Sequence, residues 1–497
     1  MLFNSFDFLI FFPIVCILYY IIPYRFRHIF LLIASYYFYM CWNAKYALLM
    51  LTSTVITYLS GLLIHRANQI PHESKREKYR KLCVLVSFSL NLAILVFFKY
   101  FNFLIETINH ILAHMHISLL NVDFDVVLPV GISFYTFQAL SYTVDVYRGD
   151  IYREKNFLKY ALFVSFFPQL VAGPIERSKN LLKQINGKHD FDIHKVHTGL
   201  SRMLFGLFQK MVLSDNISVI VTEVYDNHSS YGSLELIFAT ILFAFQIYCD
   251  FGGYSNIAIG AARVMGFELM ENFNTPYMAD TVADFWRRWH ISLTTWFRDY
   301  LYIPLGGNRK GRLRKYINIM IVFLTSGLWH GASWHFVAWG GINGIYQIIG
   351  DVLRPIRDKM AVWFEVDRKL FSHRIIKVVV TFVLVDISWI FFRADTIGQA
   401  LAIIKGMCTR IHLGVLLDGS LFRMGIDIKQ CMIVLAALVL LILTDICKYI
   451  KLDLIEGLCR QGVWLQYMVY LFLIYSVLIF GSYGPAYDAS QFIYFQF

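Results

Sequence analysis

The stretch YALFVSFFPQLVAGPI, residues 160–175, decides the class of fold. It is uncharged and largely apolar, yet Pro168, Gly173 and Pro174 interrupt it. It also lies between two basic stretches, the first holding Arg148, Arg153, Lys155 and Lys159. A simple membrane crossing needs about 20 mainly apolar residues in one helix. This segment therefore reads as a broken or re-entrant element. Such backbone survives at membrane depth only when buried in protein or lining a cavity. A hollow in the middle of the molecule is expected.

The rest of the chain sets that segment in a membrane protein. Of 497 residues, 58% are hydrophobic and only 16% charged, against roughly 45–50% and about 25% in soluble domains. Mean hydropathy is +0.55. A soluble enzyme and a disordered chain are both excluded, and an all-α polytopic membrane protein remains. Clear spans are 6–22, 82–105, 198–221, 375–392, 429–447 and 463–482. Less uniform ones are 29–43, 44–64, 129–147, 234–250, 254–270 and 316–350. Roughly ten to fourteen membrane helices of unequal length are expected. Residues 393–428 read as an amphipathic surface stretch. The organisation is one integral-membrane domain, 1–482, ending in a tail, 483–497.

Loop charge orients the chain. Residues 65–81, 148–159, 309–315 and 354–374 are rich in Lys and Arg, whereas 106–128, 222–233 and 483–497 have neither. The positive-inside rule makes the first set cytoplasmic and places both termini outside. The net charge of +11 fits such loops rather than nucleic acid. Residues 6–22 lack a basic n-region and read as a retained span, not a cleaved signal. Cys16, Cys83, Cys249, Cys431 and Cys447 sit in apolar runs with no CxxC, as buried small side chains do.

Two polar regions interrupt the apolar background. DFWRRWHISLTTWFRDYLYIPLGG (284–307) sets Arg287, Arg288, His290, Arg298 and Asp299 among Trp286, Trp289 and Trp296. At helical spacing Trp289 and Trp296 lie two turns apart. The stretch is either an interfacial helix with a basic flank or the wall of a polar cavity into which His290 points. LTSGLWHGASWHFVAWGG (324–341) carries His330 in an apolar setting, with Ser326, Gly327, Gly331 and Ala332 small enough for close approach. An ionisable residue in a membrane segment is a functional candidate, and imidazole suits general-base work near neutral pH. The plainer reading is a histidine hydrogen-bonded between helices. His335 falls on another face and reads as structural. Without HExxH or a carboxylate cluster, no metal is expected. DFGGYSN (250–256) reads as a helix break. The tail closes on FIYFQF, either an aromatic plug or a flexible end whose Tyr494 reaches a cavity as an acyl acceptor.

Several segments resemble bacterial membrane-bound O-acyltransferases (MBOAT proteins), in the branch of the alginate O-acetyltransferase membrane subunit. They are LFNSFDFLIFF near the N-terminus, PVGISFYTFQALSYTVDVYRG (129–149), FFPQLVAGPIER (166–177), the long run 246–309, LWHGASWHFVAWGGING (328–344) and FIYFQF. The resemblance is collinear and covers most of the chain; 351–430 is its least diagnostic part. It implies a ring of membrane helices around a thin core, where a cytoplasmic tunnel meets an external funnel. It implies that His330 is the family's invariant histidine and His290 its second motif position. The related teichoic-acid D-alanyl transfer system uses a partner peptide ending in a similar aromatic-Tyr motif, which here is fused to the chain with Tyr494 as acyl relay.

The resemblance also carries implications for the chemistry. No cofactor is bound; acetyl-CoA or another acyl thioester is the donor, entering at a basic cytoplasmic mouth. Trp289, Trp329, Ser326, Arg287, Arg288, Arg298 and Asp299 are the candidate substrate contacts. An extracytoplasmic SGNH-type acyltransferase is the expected partner, a glycan the final acceptor, and the bacterial cytoplasmic membrane the location. Three rivals stand beside this reading: D-alanyl transfer from a carrier-protein thioester, a transporter or flippase, and a scaffold that only recruits a partner.

Overall fold

The structure is a computed structural model. It describes residues 1–120, 128–483 and Ile493. Among the described residues there is no strand. Backbone contacts divide the chain into two compact units, Met1–Met203 with Ile257–Met270, and Leu204–Asn256 with Glu271–Gln496.

The first unit holds the broken element. Helix Phe157–Ser165 stops, and a short helix Phe167–Leu170 continues at an angle set by Phe166. Every residue from 160 to 178 is buried. The polar backbone freed by the break is answered by side chains. Ser35 Oγ accepts from the Phe167 amide at 3.1 Å, and the Phe163 carbonyl accepts from the side-chain amides of Gln138 and Gln169. This is how an irregular segment survives away from water. Gly173 is obligatory there, because a Cβ would stand 2.4 Å from the Gln169 Cα.

Neighbouring helices in this unit are joined by small polar side chains. Ser53 donates to Asn91 at 2.6 Å, Tyr160 to Thr57 at 2.7 Å, and Ser60 meets Thr143 at 2.8 Å. With no hydrophobic drive between helices in lipid, such bonds and close packing supply the association, at about 0.6 kcal/mol each. Glu176 accepts from Asn180 at 2.7 Å and from the Met270 amide.

The second unit begins with a widened helical turn. Phe208–Ser214 is π-helical, as are Val96–Tyr100 in the first unit and Arg298–Tyr302 in the second. Helix Ser233–Val264 runs for 32 residues without interruption. It merges the expected spans 234–250 and 254–270, and DFGGYSN is not a break. Gly253 has a packing reason instead: a Cβ would lie 2.7 Å from the Gly206 carbonyl oxygen.

Among the described residues, seven helices are long and apolar enough to cross a membrane. They are Ala44–Ala67, Glu73–His114, Ile193–Asp226, Ser233–Val264, Phe371–Arg393, Ile428–Tyr449 and Val463–Phe480. Fewer meet that criterion than the sequence suggested, because some expected spans merge, the span 316–350 is broken, and others are short. Phe6–Ile21 has 16 residues, and Tyr24–Met40 and Ile132–Arg148 have 17 each. Helix Val463–Phe480 buries only Ser476 and turns Trp464, Met468, Phe472 and Tyr475 outward. An uncharged apolar helix so exposed is suited to lipid. The chain is a multi-pass membrane protein.

Candidate active site

Residues 316–350 form a hairpin rather than one span. Helix Gly311–His330 ends at His330, and helix Trp334–Val352 returns alongside it. Gly327 and Gly340 allow the approach. A Cβ on Gly327 would be 2.3 Å from the Phe336 carbonyl oxygen, and one on Gly340 2.3 Å from that of Phe323. His330 therefore stands at the tip of a close-packed hairpin and is only 4% exposed.

His290 arrives by a different route. Helix Val282–Arg288 begins at Thr281, whose hydroxyl caps the Asp284 amide at 3.1 Å. It ends at Trp289, and a second helix, Ile291–Phe297, starts after His290. Trp289 and Trp296 do not share a helix, so the expected two-turn spacing fails. His290 has φ +43° and ψ +54°, the left-handed region that L-residues rarely enter. Thr275 has φ +46°. Strained residues of this kind cost about 1–3 kcal/mol each and persist only where surroundings hold them. Here the backbone at the break pairs with residues 272–274. The Ile291 amide donates to Asn272 O at 2.9 Å and the Asn274 amide to Arg288 O at 3.0 Å. The Asn272 side chain also accepts from Ser292 Oγ at 2.6 Å and donates to Ser255 Oγ at 3.0 Å.

The two imidazoles meet inside an aromatic box. Their ring centroids are 6.4 Å apart. Trp329, Trp339 and Phe392 surround His330 at 5.0, 5.1 and 5.3 Å, all edge-on. Phe251 and Trp329 flank His290 at 4.6 and 5.8 Å. Trp339 stacks on Trp389, which touches Trp289 at 5.1 Å, so one chain of indoles links the hosts of both histidines. Edge-to-face rings hold an imidazole plane in place and keep water away.

The other sequence candidates divide. Trp289 and Trp329 are buried in the box, and Ser326 is buried one turn before His330. Arg288 donates to Asp284 at 2.6 Å and covers the Tyr449 ring. Arg287 and Arg298 are mostly exposed, at 72% and 60%; Arg287 lies 3.7 Å from Asp284, and Arg298 donates to Asp299 at 2.8 Å. These ion pairs turn the four charged residues toward one another and Asp284 rather than into the aromatic box. His335 bonds the Phe391 carbonyl at 3.0 Å, a structural role as expected. Tyr494 lies outside the described residues. Sequence reasoning passed over Trp389 and Phe392, which come from the stretch it found least diagnostic. It also passed over Asp445 in helix Ile428–Tyr449, which accepts from Tyr248 at 3.0 Å. A carboxylate inside an apolar span was the available signal. Among the described residues no group of His, Cys, Asp and Glu is arranged to hold a metal ion.

A helical, multi-pass chain of this kind has counterparts among known proteins. The family described as "MBOAT, membrane-bound O-acyltransferase family" matches residues 152–385, a range that includes both histidines. The chain belongs to that family and is a membrane O-acyltransferase. It is 36% identical over 428 residues to "Probable alginate O-acetylase AlgI" of Pseudomonas putida, covering 86% of this chain and 81% of that protein. It is 33% identical over 408 residues to "Peptidoglycan O-acetyltransferase" of Helicobacter pylori, covering 77% and 74%. "Teichoic acid D-alanyltransferase" of Streptococcus thermophilus is more distant, 27% identical over 239 residues, covering 45% and 56%.

Proposed function

We propose that this protein moves an acetyl group from acetyl-CoA, on the cytoplasmic side of a bacterial inner membrane, to an extracytoplasmic acceptor that O-acetylates a glycan. The observation that carries the reading is the pair of buried imidazoles 6.4 Å apart, centroid to centroid. The two rings are close enough to act on the same reacting centre. The relatives named as O-acetylases, at 33–38% identity, support acetyl as the group transferred.

In this reading His330 takes the proton of the acceptor hydroxyl as its oxygen attacks the thioester carbonyl. The C–O ester bond forms and the C–S bond breaks. The proton held by His330 passes to the leaving thiolate, and CoA departs as the thiol. His290 steadies the negative charge that develops on the carbonyl oxygen. General-base assistance supplies roughly 10²–10⁴-fold and oxyanion stabilisation roughly 10²–10³-fold. Arg287, Arg288 and Arg298, with Asp299 orienting the last, are assigned to the donor's phosphates. Trp289, Trp329 and Ser326 are assigned to its thioester end. The first acceptor is Tyr494 on the tail, and an SGNH-type partner then carries the acyl group to the glycan. The donor tunnel and the acceptor funnel are those the family resemblance implies. The basic loops face the cytoplasm and both termini face outside.

The test is mass spectrometry of the purified chain after incubation with acetyl-CoA. An acetyl group is expected on the C-terminal peptide of the wild type, and none in His330→Ala or Tyr494→Phe. His330→Ala should transfer roughly 10²–10⁴-fold more slowly while staying monodisperse. Near-full transfer by that variant would overturn the assignment. Transfer by Tyr494→Phe would keep the enzyme and remove the relay. Labelling only by a D-alanyl carrier protein would move the protein to the D-alanyl branch.

A further inference from the structure

The second unit contains a cluster of buried charges for which the proposed chemistry has no use. Lys210 Nζ donates to Asp215 Oδ1 at 2.7 Å and to Asp250 Oδ1 at 2.6 Å, and all three side chains are 5% exposed or less. Among the described residues, two carboxylates share this one ammonium. A buried carboxylate needs its remaining oxygen satisfied. The second oxygen of Asp250 accepts the backbone amide of Ile493, on the C-terminal tail, at 2.8 Å. Ile493 is itself only 6% exposed.

The tail is fastened near its root by the same stretch of chain. Ser482 donates from its amide to the carbonyl of Met211 at 3.2 Å, and Asn216 donates to the carbonyl of Phe480 at 2.9 Å. Met211 and Lys210 both belong to the π-helical turn Phe208–Ser214. A π-turn shifts hydrogen bonds to i→i+5 and disturbs the usual ladder, so a carbonyl is open to an outside donor. Gly481 makes room, since a Cβ there would meet the Val477 carbonyl oxygen at 2.3 Å and Met211 Cβ at 3.3 Å. The residue after Asp250 is Phe251, whose ring lies 4.6 Å from that of His290.

We propose that the π-turn 208–214 and the Lys210–Asp215–Asp250 cluster form a dock for the chain's own C-terminal tail, gripping it by backbone amides at Ser482 and Ile493. Both bonds on the tail are made by its main-chain amides. Asp250 receives the tail on one oxygen and is fixed by Lys210 on the other; Asp215 holds Lys210 in place. What the dock is for rests on the reading of Tyr494, the next residue, as the acyl relay. The existence of the dock does not.

Hydrogen exchange of the purified full chain tests it. The Ile493 amide should exchange roughly a hundredfold more slowly than in the free tail peptide. Asp250→Ala leaves Lys210 paired with Asp215 and should bring that amide to the peptide's rate. His330→Ala should leave it slow. An amide already fast in the wild type, or still slow in Asp250→Ala, would overturn the dock. If Asp250→Ala does not give monodisperse protein, Ile493→Pro breaks the same bond from the tail side by removing the N–H. It should expose the tail to limited proteolysis at least roughly tenfold faster than in the wild type, and wild-type resistance would overturn the dock. Tyr494→Phe separates the two ideas. If it keeps the Ile493 amide slow yet still transfers, the relay falls and the dock stands; a fast Ile493 amide in Tyr494→Phe would count against a grip made by the backbone alone.

Discussion

His290 and His330 are buried alike, at 1% and 4% exposed, but the chain brings them there by opposite means. His330 ends a regular helix, and two glycines let the returning helix press against it. His290 sits in a break, with a left-handed backbone held by pairing to residues 272–274. One position is secured by packing and the other by hydrogen bonds that offset strain. The expectation is that they fail differently.

The largest effect should come from packing. Gly340→Val places a side chain against the Phe323 carbonyl oxygen and should destabilise the hairpin by about 3 kcal/mol, seen as a lower melting temperature in detergent. A variant as stable as wild type would show that the glycines are not what sets the hairpin. Asn272→Ala should cost about 2 kcal/mol by taking from the Ser255 and Ser292 hydroxyls the partner they share. It should lower acyl transfer through His290 while the Gly340 region stays as stable as before, which exchange rates in the hairpin would report. The smallest effect is a change of sign. At 290 the Gly variant should be more stable than the Ala variant by about 1 kcal/mol, because glycine accepts φ +43°. At 330 the order should reverse, by roughly 0.5–1 kcal/mol, since the residue is helical. Equal ordering at both sites would remove the contrast.

This contrast also explains how much could be read in the sequence. The broken element at 160–175 was legible because Pro168, Gly173 and Pro174 announce it. The hairpin was not legible: Gly331 reads as room for close approach, and the surrounding residues read as one long span. The break at His290 was not legible. No glycine or proline stands there, and residues 272–274, distant in sequence, hold it open. DFGGYSN misled for the converse reason, since its Gly253 serves helix contact inside an unbroken helix. The two histidines were found by their chemistry in an apolar setting. The aromatic box around them was not, because Trp389 and Phe392 look like ordinary membrane-helix residues until the fold brings them to the hairpin.

The π-helical turn at 208–214 makes length itself a constraint. Each residue advances a helix by about 100°. The wider turn takes up one extra residue, so removing one there would restore ordinary winding with the flanking turns kept in phase, whereas removing one from a regular turn would rotate one part of the helix against the other by roughly that angle. Within the rewound turn, Lys210 would leave Asp250, and Met211 would leave Ser482. The segment thus behaves like a splice in the helix: a deletion inside it stays local, whereas a deletion in a regular turn shifts the phase of everything beyond it.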